Sequence, residues 1–298
     1  MIEDATVASR ARTLAANLEP CIGQVYFSPE CHSAYEALGF GPSPGKADGV
    51  ALPDGPAYFT SRGSLMGQVV PQVVASTFAV FNPAVVEPCV QFGWGITDAP
   101  TIFAARRAGA VAQLRRILGE HPVGLERAVE LLDRAVAPLN VEGRALFAGL
   151  CSQWDDPADP LTRFFHRGDQ LREYRGDAHT ASWTSACLDA IEIGLLTELY
   201  LGLPLRSYIR SRAWSDEQLE AGLARLTARG WIDGRAFTTA GRAAREDIEL
   251  NTDYQLRAAI EALGSDFDEL IGFLQPAGEQ IRAAAGYLQS PAQLGARS

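Results

Sequence analysis

The sequence lacks the cysteine and histidine patterns that mark disulfide frameworks and metal sites. Its five cysteines form no CxxC pair, and its four histidines form no HxH or HExxH arrangement. An odd number of scattered cysteines is typical of reduced thiols, because small secreted proteins usually pair theirs in disulfides. The sequence therefore predicts a cytoplasmic protein without a structural metal ion.

The chain also lacks any apolar run of the about 20 residues that a membrane-spanning helix needs. The most apolar segment, 186–203, is interrupted by Asp189, Glu192 and Glu198. The first residues are acidic and then amphipathic, unlike those of a signal peptide. We therefore expect no membrane partner, and the formal net charge of −10 further disfavours an anionic membrane surface.

Catalytic and nucleotide-binding motifs are missing as well. The chain has no GxSxG elbow, Walker motif, kinase signature or dinucleotide fingerprint. A GxGxxxG pattern does occur in the Gly- and Pro-rich segment 39–55, but no predicted strand leads into it and no predicted helix leads out of it. The sequence therefore predicts no cofactor and does not identify a reaction.

What the chain does contain is apolar residues at helical spacing over most of its length. Helices are predicted over 5–18, 29–38, 69–81, 101–118, 125–137, 143–153, 161–174 and 178–201. The last should begin at an Asp177 cap and form a buried central rod, and a strand is predicted over 56–62. These elements predict a mainly α protein with an N-terminal helical domain, 1–150, a C-terminal domain, 151–288, and a flexible tail, 289–298.

The segment from about 204 to 250 has the element order of a winged helix-turn-helix. A short helix precedes a second helix that begins at Ser215, where Gln218 has the spacing of a capping box. Two short apolar runs then flank Asp-Gly at 233–234, which is a strong signal for a tight hairpin. A threonine at 238 or 239 caps a third helix. This order predicts a winged helix-turn-helix, with a small β-hairpin wing, embedded in a multi-helix body.

Several stretches of the chain resemble known families. The run LEAGLARLTARGWIDGRAFTTAGRAARE (219–246) looks like the recognition helix and wing of MarR-type regulators. Over most of its length the chain resembles an actinobacterial family described only as helix-turn-helix. That resemblance rests on VYFSPECHSAYEALGF, YFTSRGSLMGQVVPQVVASTFAVFNP, LREYRGDAHTASW and IELNTD, together with the winged-helix stretch. It implies a winged-helix fold and DNA binding, without implying a reaction.

The predicted winged helix is basic, whereas the rest of the chain is acidic. Eight arginines and four acidic residues lie between positions 206 and 245, a local charge of +4 that leaves −14 for the remainder. A basic patch on an acidic body is typical of a DNA-binding module. The arginines expected to meet phosphates, if DNA is a partner, are Arg210, Arg212, Arg235 and Arg242.

Three acidic residues argue against DNA binding. Asp216, Glu217 and Glu220 lie in the first turns of the second helix, where winged helices usually read bases. Carboxylates that face phosphates are costly, and winged helices also serve as dimerisation or substrate-contact modules. The sequence leaves both uses of this module open.

A polar cluster at 166–179, HRGDQLREYRGDAH, is the first candidate ligand site. One interpretation is that its arginines and aspartates cap helix ends and pair with each other. The other begins from His179 in the first helical turn, where the helix dipole keeps imidazole neutral and able to accept a proton. In this interpretation Arg172 and Arg175 would bind an anion, and Trp183 would form an apolar wall.

A second cluster lies at the end of the predicted strand. Arg62 follows an aromatic run that contains Tyr58, an arrangement suited to an anionic or aromatic ligand or to an arginine paired in a core. Aromatic side chains nearby in sequence are more typical of a core than of a pocket but remain ligand-binding candidates. They are Phe78, Phe81 and Trp94.

Three functions are compatible with these features. The first is a regulator-like winged-helix protein, a homodimer, that binds a small apolar or aromatic molecule and has DNA as a second partner. The alternative is a cofactor-independent enzyme of specialised metabolism, performing proton transfer, isomerisation or cyclisation with His179, Arg175 and Tyr58 as catalytic residues. The third is a scaffold without a ligand.

Overall fold

The computed structural model of the chain describes residues 2–290, and these are mainly helical with two small hairpins, as predicted. The α-helices, in chain order, are α1 Asp4–Gly23, α2 Pro29–Leu38, α3 Gly55–Gly63, α4 Pro71–Phe78, α5 Pro83–Ile96, α6 Ala99–Leu118, α7 Leu125–Val136, α8 Ala145–Ser152, α9 Pro160–Ser185, α10 Ala190–Tyr200, α11 Asp216–Ala228, α12 Thr239–Tyr254, α13 Arg257–Leu263 and α14 Phe267–Ala283. The antiparallel hairpins pair β1 Lys46–Ala47 with β2 Val50–Ala51, and β3 Ile232–Asp233 with β4 Ala236–Phe237. From residue 291 onward, the predicted tail lies outside the described residues.

The predicted boundary at Asp177 is wrong, because α9 continues unbroken through it. The Asp177 carboxylate instead accepts the backbone N–H groups of Leu146 and Phe147, at 3.1 and 3.2 Å. It therefore caps the first turn of α8, a neighbour in space, and not the start of its own helix. The predicted rod over 178–201 is likewise interrupted, since α9 ends at Ser185 and α10 begins after it.

The predicted strand over 56–62 is also wrong, because these residues form most of α3. The Asp54 side chain accepts the N–H of Ala57 at 3.0 Å, and proline stands in the first turn, so local signals for a helix start outweigh the aromatic content. The Gly- and Pro-rich segment 39–55 contains the hairpin of β1 and β2. The helix predicted over 69–81 exists in shorter form as α4, but Val70 and Val73 beside and within it are exposed.

Helix α9 is the centre of the architecture, since it packs against α1, α6, α7, α8 and α12. One apolar core surrounds it and takes residues from Ala11 to Leu288. A second core joins α3, α4, α5 and α8, and a third lies within α10, α11, the β3–β4 hairpin and α12. None of the helices within residues 2–290 combines the length and apolar composition that crossing a bilayer demands.

Candidate functional site

The segment from α10 to α12 forms the predicted winged helix. A 3₁₀ turn, Tyr208–Arg212, precedes α11, and Ser215 caps α11 through the predicted capping box with Gln218. The hairpin of β3 and β4 turns at Gly234, whose φ of +57° lies in the left-handed region that favours glycine. The predicted signals for this module are therefore confirmed at the level of individual caps and turns.

The start of α12 lies unusually close to the hairpin. A Cβ atom at Gly241 would stand 1.9 Å from the carbonyl oxygen of Trp231, so no larger residue fits there without a backbone shift. Thr238 caps this helix by accepting the N–H of Gly241 at 3.0 Å. The residues from Thr238 to Gly241 therefore hold the wing against α12.

A buried glutamate attaches the 3₁₀ turn to α10. Glu198 is fully buried and accepts the backbone N–H groups of Arg206 and Ile209, each at 2.7 Å. Burial raises the pKa of Glu198, although these hydrogen bonds act in the opposite direction. The residues before α11 are thus held through their backbone.

Ion pairs change the charge that α11 presents to solvent. Two of the three acidic residues in its first turns are paired, Glu220 with Arg206 and Asp216 with Arg210 at 2.6 Å. These pairs make the potential at the start of α11 less negative. Within residues 2–290, Glu217 is the acidic residue of α11 that has no ion-pair partner. The pair with Asp216 also occupies Arg210, one of the arginines predicted to bind phosphate.

Three arginines of the module have no acidic partner in the described chain, namely Arg212 in the 3₁₀ turn, Arg235 and Arg242. Arg235 is exposed in the hairpin turn, and Arg242 is exposed in the first turn of α12 with its guanidinium 5.3 Å from the Phe237 ring centre. Both were predicted to meet phosphates. The uncompensated positive charge of the winged helix therefore lies on the 3₁₀ turn, the wing and the start of α12, and not on α11.

A cleft of about 350 Å³ lies where the helical body meets the winged helix. The aromatic residues that the body contributes to its walls are Tyr26, Phe27, Tyr58, Phe59, Phe81 and Tyr287. The 3₁₀ turn contributes Tyr208, Ser211 and Arg212. Its size and aromatic lining are typical of a small-molecule site.

The wall on the α9 side contains a buried network of charges. Glu173 receives two hydrogen bonds from Arg62, at 2.8 and 3.2 Å, and one from Arg172 at 2.8 Å. Arg172 also pairs with Glu19 at 2.9 Å, and the Tyr26 hydroxyl lies 3.2 Å from Glu173. Arg62 and Arg172, predicted to bind a ligand, are therefore already compensated by carboxylates.

The same network sets the protonation of its members. Burial acts to raise the pKa of Glu173, but the charges of Arg62 and Arg172 outweigh it and lower the pKa to about 2. Burial also raises the pKa of the Tyr26 hydroxyl well above its usual value. At neutral pH this wall is an ionised, charge-paired scaffold with a neutral tyrosine.

A smaller cavity of about 170 Å³ lies behind this wall. It is lined by leucines of α1 and α9 together with Arg62, Arg172 and Arg175. The Glu19 and Arg172 side chains line both this cavity and the cleft. Their ion pair therefore stands between the two spaces.

The predicted pair Arg175 and His179 faces α12 instead. Arg175 pairs with Glu249 at 3.0 Å and with Asp253 at 3.3 Å, and His179 Nδ1 lies 3.2 Å from the Thr252 hydroxyl. Two stretches that carry the family resemblance, LREYRGDAHTASW and IELNTD, thus meet along this contact. It joins the body to the last helix of the winged helix.

The candidate catalytic residues are divided between these places. Tyr58 lines the cleft, whereas neither Arg175 nor His179 does. Of the aromatic candidates, Phe81 lines the cleft, Phe78 is buried behind it, and Trp94 donates its indole N–H to the Val69 carbonyl at 2.9 Å. Trp183 is buried in the core of the winged helix, and its indole N–H has no partner within residues 2–290.

Sequence reasoning missed several of the cleft residues. Tyr26 and Phe27 stand in the stretch VYFSPE, which carries the resemblance, but no local pattern separates them from core aromatics. Tyr208 and Tyr287 come from distant parts of the chain and meet only in the folded molecule. The described residues also contain no group of three or more His, Cys, Asp or Glu side chains arranged to hold a metal ion.

Comparison with known proteins agrees with a helix-turn-helix protein. The model of a family described as a helix-turn-helix family matches residues 11–288. No curated protein and no solved structure matches the chain.

Proposed function

Because the chain belongs to this helix-turn-helix family, we propose that it is a DNA-binding regulator controlled by a small aromatic molecule in the cleft. The main support for the proposal is that the helical body and the winged helix both contribute residues to the lining of the cleft. One wall belongs to the helical body and the other to the 3₁₀ turn that directly precedes α11. A molecule bound there contacts both parts at once.

The junction beside the cleft is held by a small number of hydrogen bonds. The Asn82 backbone N–H donates to the Arg212 carbonyl at 3.0 Å, and its side-chain amide donates to the Ala213 carbonyl at 2.9 Å. The Trp214 indole N–H donates to the Val80 carbonyl at 2.9 Å. A ligand that binds one arrangement of this junction better than another shifts the position of α11, which is what ligand control of DNA binding requires.

DNA contact is proposed for the wing and the start of α12, through Arg235 and Arg242. Both are exposed and lack acidic partners in the described chain, so their pairing with phosphate breaks no existing ion pair. The pairing of Asp216 and Glu220 with arginines reduces the repulsion that the sequence alone predicted.

Removal of both arginines tests this surface. We expect the Arg235→Ala/Arg242→Ala variant to bind duplex DNA about tenfold more weakly than the wild type at low salt. The slope of log affinity against log salt concentration should fall by about 2, since each arginine that meets a phosphate contributes about 1. Fluorescence anisotropy with a labelled duplex over a series of salt concentrations measures both quantities.

The control for charge is Arg127→Ala/Arg134→Ala, which removes two arginines from α7 that, unlike Arg235 and Arg242, are both paired with Asp266. This control should leave the salt slope unchanged. Equal loss of affinity in both double variants would show that net charge alone governs binding. A wild-type protein without salt-sensitive DNA binding would contradict the proposed function.

A further inference from the structure

Arg212 differs from the other charged side chains of the cleft. Its guanidinium lies 4.4 Å from the Phe81 ring centre and 4.5 Å from that of Tyr208, and it donates to the Tyr208 hydroxyl. No carboxylate of residues 2–290 forms an ion pair with it. The two rings hold the guanidinium in place by cation–π contact, but they do not neutralise its charge.

The remaining charges that line the cleft are compensated. Arg172 pairs with Glu19 and Glu173, and the Tyr287 hydroxyl donates to Glu19 at 2.9 Å. Asp54 caps α3, where the backbone N–H of Ala57 and the positive end of the helix stabilise its charge. Among the charged side chains that line the described cleft, Arg212 is therefore the one whose charge is uncompensated and available to bind an anion.

We propose that the cleft binds a planar aromatic carboxylate, with its carboxylate paired to Arg212 and its ring packed against Tyr58 and Phe81. This inference rests on the proposed function and gives its ligand a chemical class. The rings of Tyr26, Phe59 and Phe81 lie 5.0 to 5.7 Å from the ring of Tyr58, so the aromatic wall is continuous. Offset and edge-to-face contacts with such rings favour a flat, unsaturated ligand.

A carboxylate suits this site better than a phosphate. The planar fork of a guanidinium binds a carboxylate through two parallel hydrogen bonds. A phosphate dianion would bring two negative charges to a single uncompensated cation, beside Glu19 and Asp54. The cleft therefore matches a singly charged acid.

The test compares two probes of the same shape, 2-naphthoate and 2-naphthamide, by isothermal titration calorimetry on the full chain. We expect the wild type to bind 2-naphthoate about 10- to 100-fold more tightly than 2-naphthamide, the usual range for hydrogen bonds to a charged partner. Arg212→Met keeps the apolar stem and should bind both probes with the weaker affinity. Arg212→Lys keeps the charge without the fork and should give an intermediate affinity for 2-naphthoate.

Arg210→Met is the matched control, because Arg210 is two residues away, is paired with Asp216 and does not line the cleft. It should bind both probes as the wild type does. Equal affinity of the wild type for both probes would overturn the carboxylate inference and leave the cleft as a site for neutral aromatics. Failure of the wild type to bind either probe would overturn both the inference and the cleft as a ligand site.

Discussion

Replacement of Asp169 with alanine is expected to lower the free energy of unfolding by about 3 to 5 kcal/mol. Asp169 and Arg106 are almost completely buried, with Arg106 Nη1 and Asp169 Oδ2 2.7 Å apart. Loss of the carboxylate leaves a buried guanidinium without a counter-charge, and its Nε already lacks a hydrogen-bond partner in the described chain. Urea denaturation of the full chain measures the change.

The neighbouring pair Arg107–Asp155 provides the control. Its two hydrogen bonds are 2.8 Å long, but the Asp155 side chain is 54 % exposed, so Asp155→Ala should cost less than about 1 kcal/mol. Conversion of the buried pair to apolar residues, Arg106→Met/Asp169→Leu, should restore part of the stability that Asp169→Ala loses. Similar costs for Asp169→Ala and Asp155→Ala would contradict the prediction.

This buried pair also supports the cleft. The Arg106 guanidinium lies 5.7 Å from the ring centre of Tyr26 and 5.5 Å from that of Phe165. Tyr26 is part of the cleft wall, so the ion pair that joins α6 to α9 also positions an aromatic ring of that wall.

The second large effect is a loss of stability in acid that depends on His179. Burial lowers the pKa of His179 from 6.5 to about 4, with Glu249 acting to raise it and Arg245 and Arg175 acting to lower it. Between these two pH values His179 is mostly protonated in the unfolded chain and mostly neutral in the folded chain. The free energy of unfolding therefore falls as the pH drops through this window, by about 3 kcal/mol in total.

His179→Gln isolates this contribution. Asp177, whose pKa burial raises to about 6, acts in the opposite direction over part of the same pH range, so the wild type alone is ambiguous. Both proteins keep Asp177, and its effect cancels in their difference. Urea denaturation at pH 7 and pH 4.5 should show the wild type losing about 2 kcal/mol more than the variant, whereas parallel losses would contradict the prediction.

The winged helix was predictable because its signals are local. The Ser215 cap, the turn glycine Gly234 and the Thr238 cap each act within a few residues of their own position, and all three occur as predicted. A low pKa for His179 was also anticipated, but for the wrong reason. His179 lies near the C-terminal end of a continuous helix, so burial and not the helix dipole lowers its pKa.

The role of Asp177 and the composition of the cleft could not be predicted from the sequence, because both depend on tertiary contacts. Asp177 resembles a helix cap in sequence, yet its partners are Leu146 and Phe147, about 30 residues earlier. The cleft brings together side chains from Glu19 to Tyr287, and no local pattern indicates such a meeting. The division of the chain near residue 150 and the homodimer stay predictions.

The most direct test of the account is the DNA affinity of the full chain with and without saturating 2-naphthoate at fixed salt concentration. Ligand control of this kind typically changes affinity about 5- to 150-fold. At a 2-naphthoate concentration that saturates the wild type but leaves the weaker-binding Arg212→Met mostly unoccupied, we expect the Kd of the wild type for DNA to change at least about fivefold and that of the variant to stay nearly the same. An unchanged Kd, with calorimetry showing that the cleft is occupied, would mean that the cleft and the winged helix are energetically independent and would contradict the account.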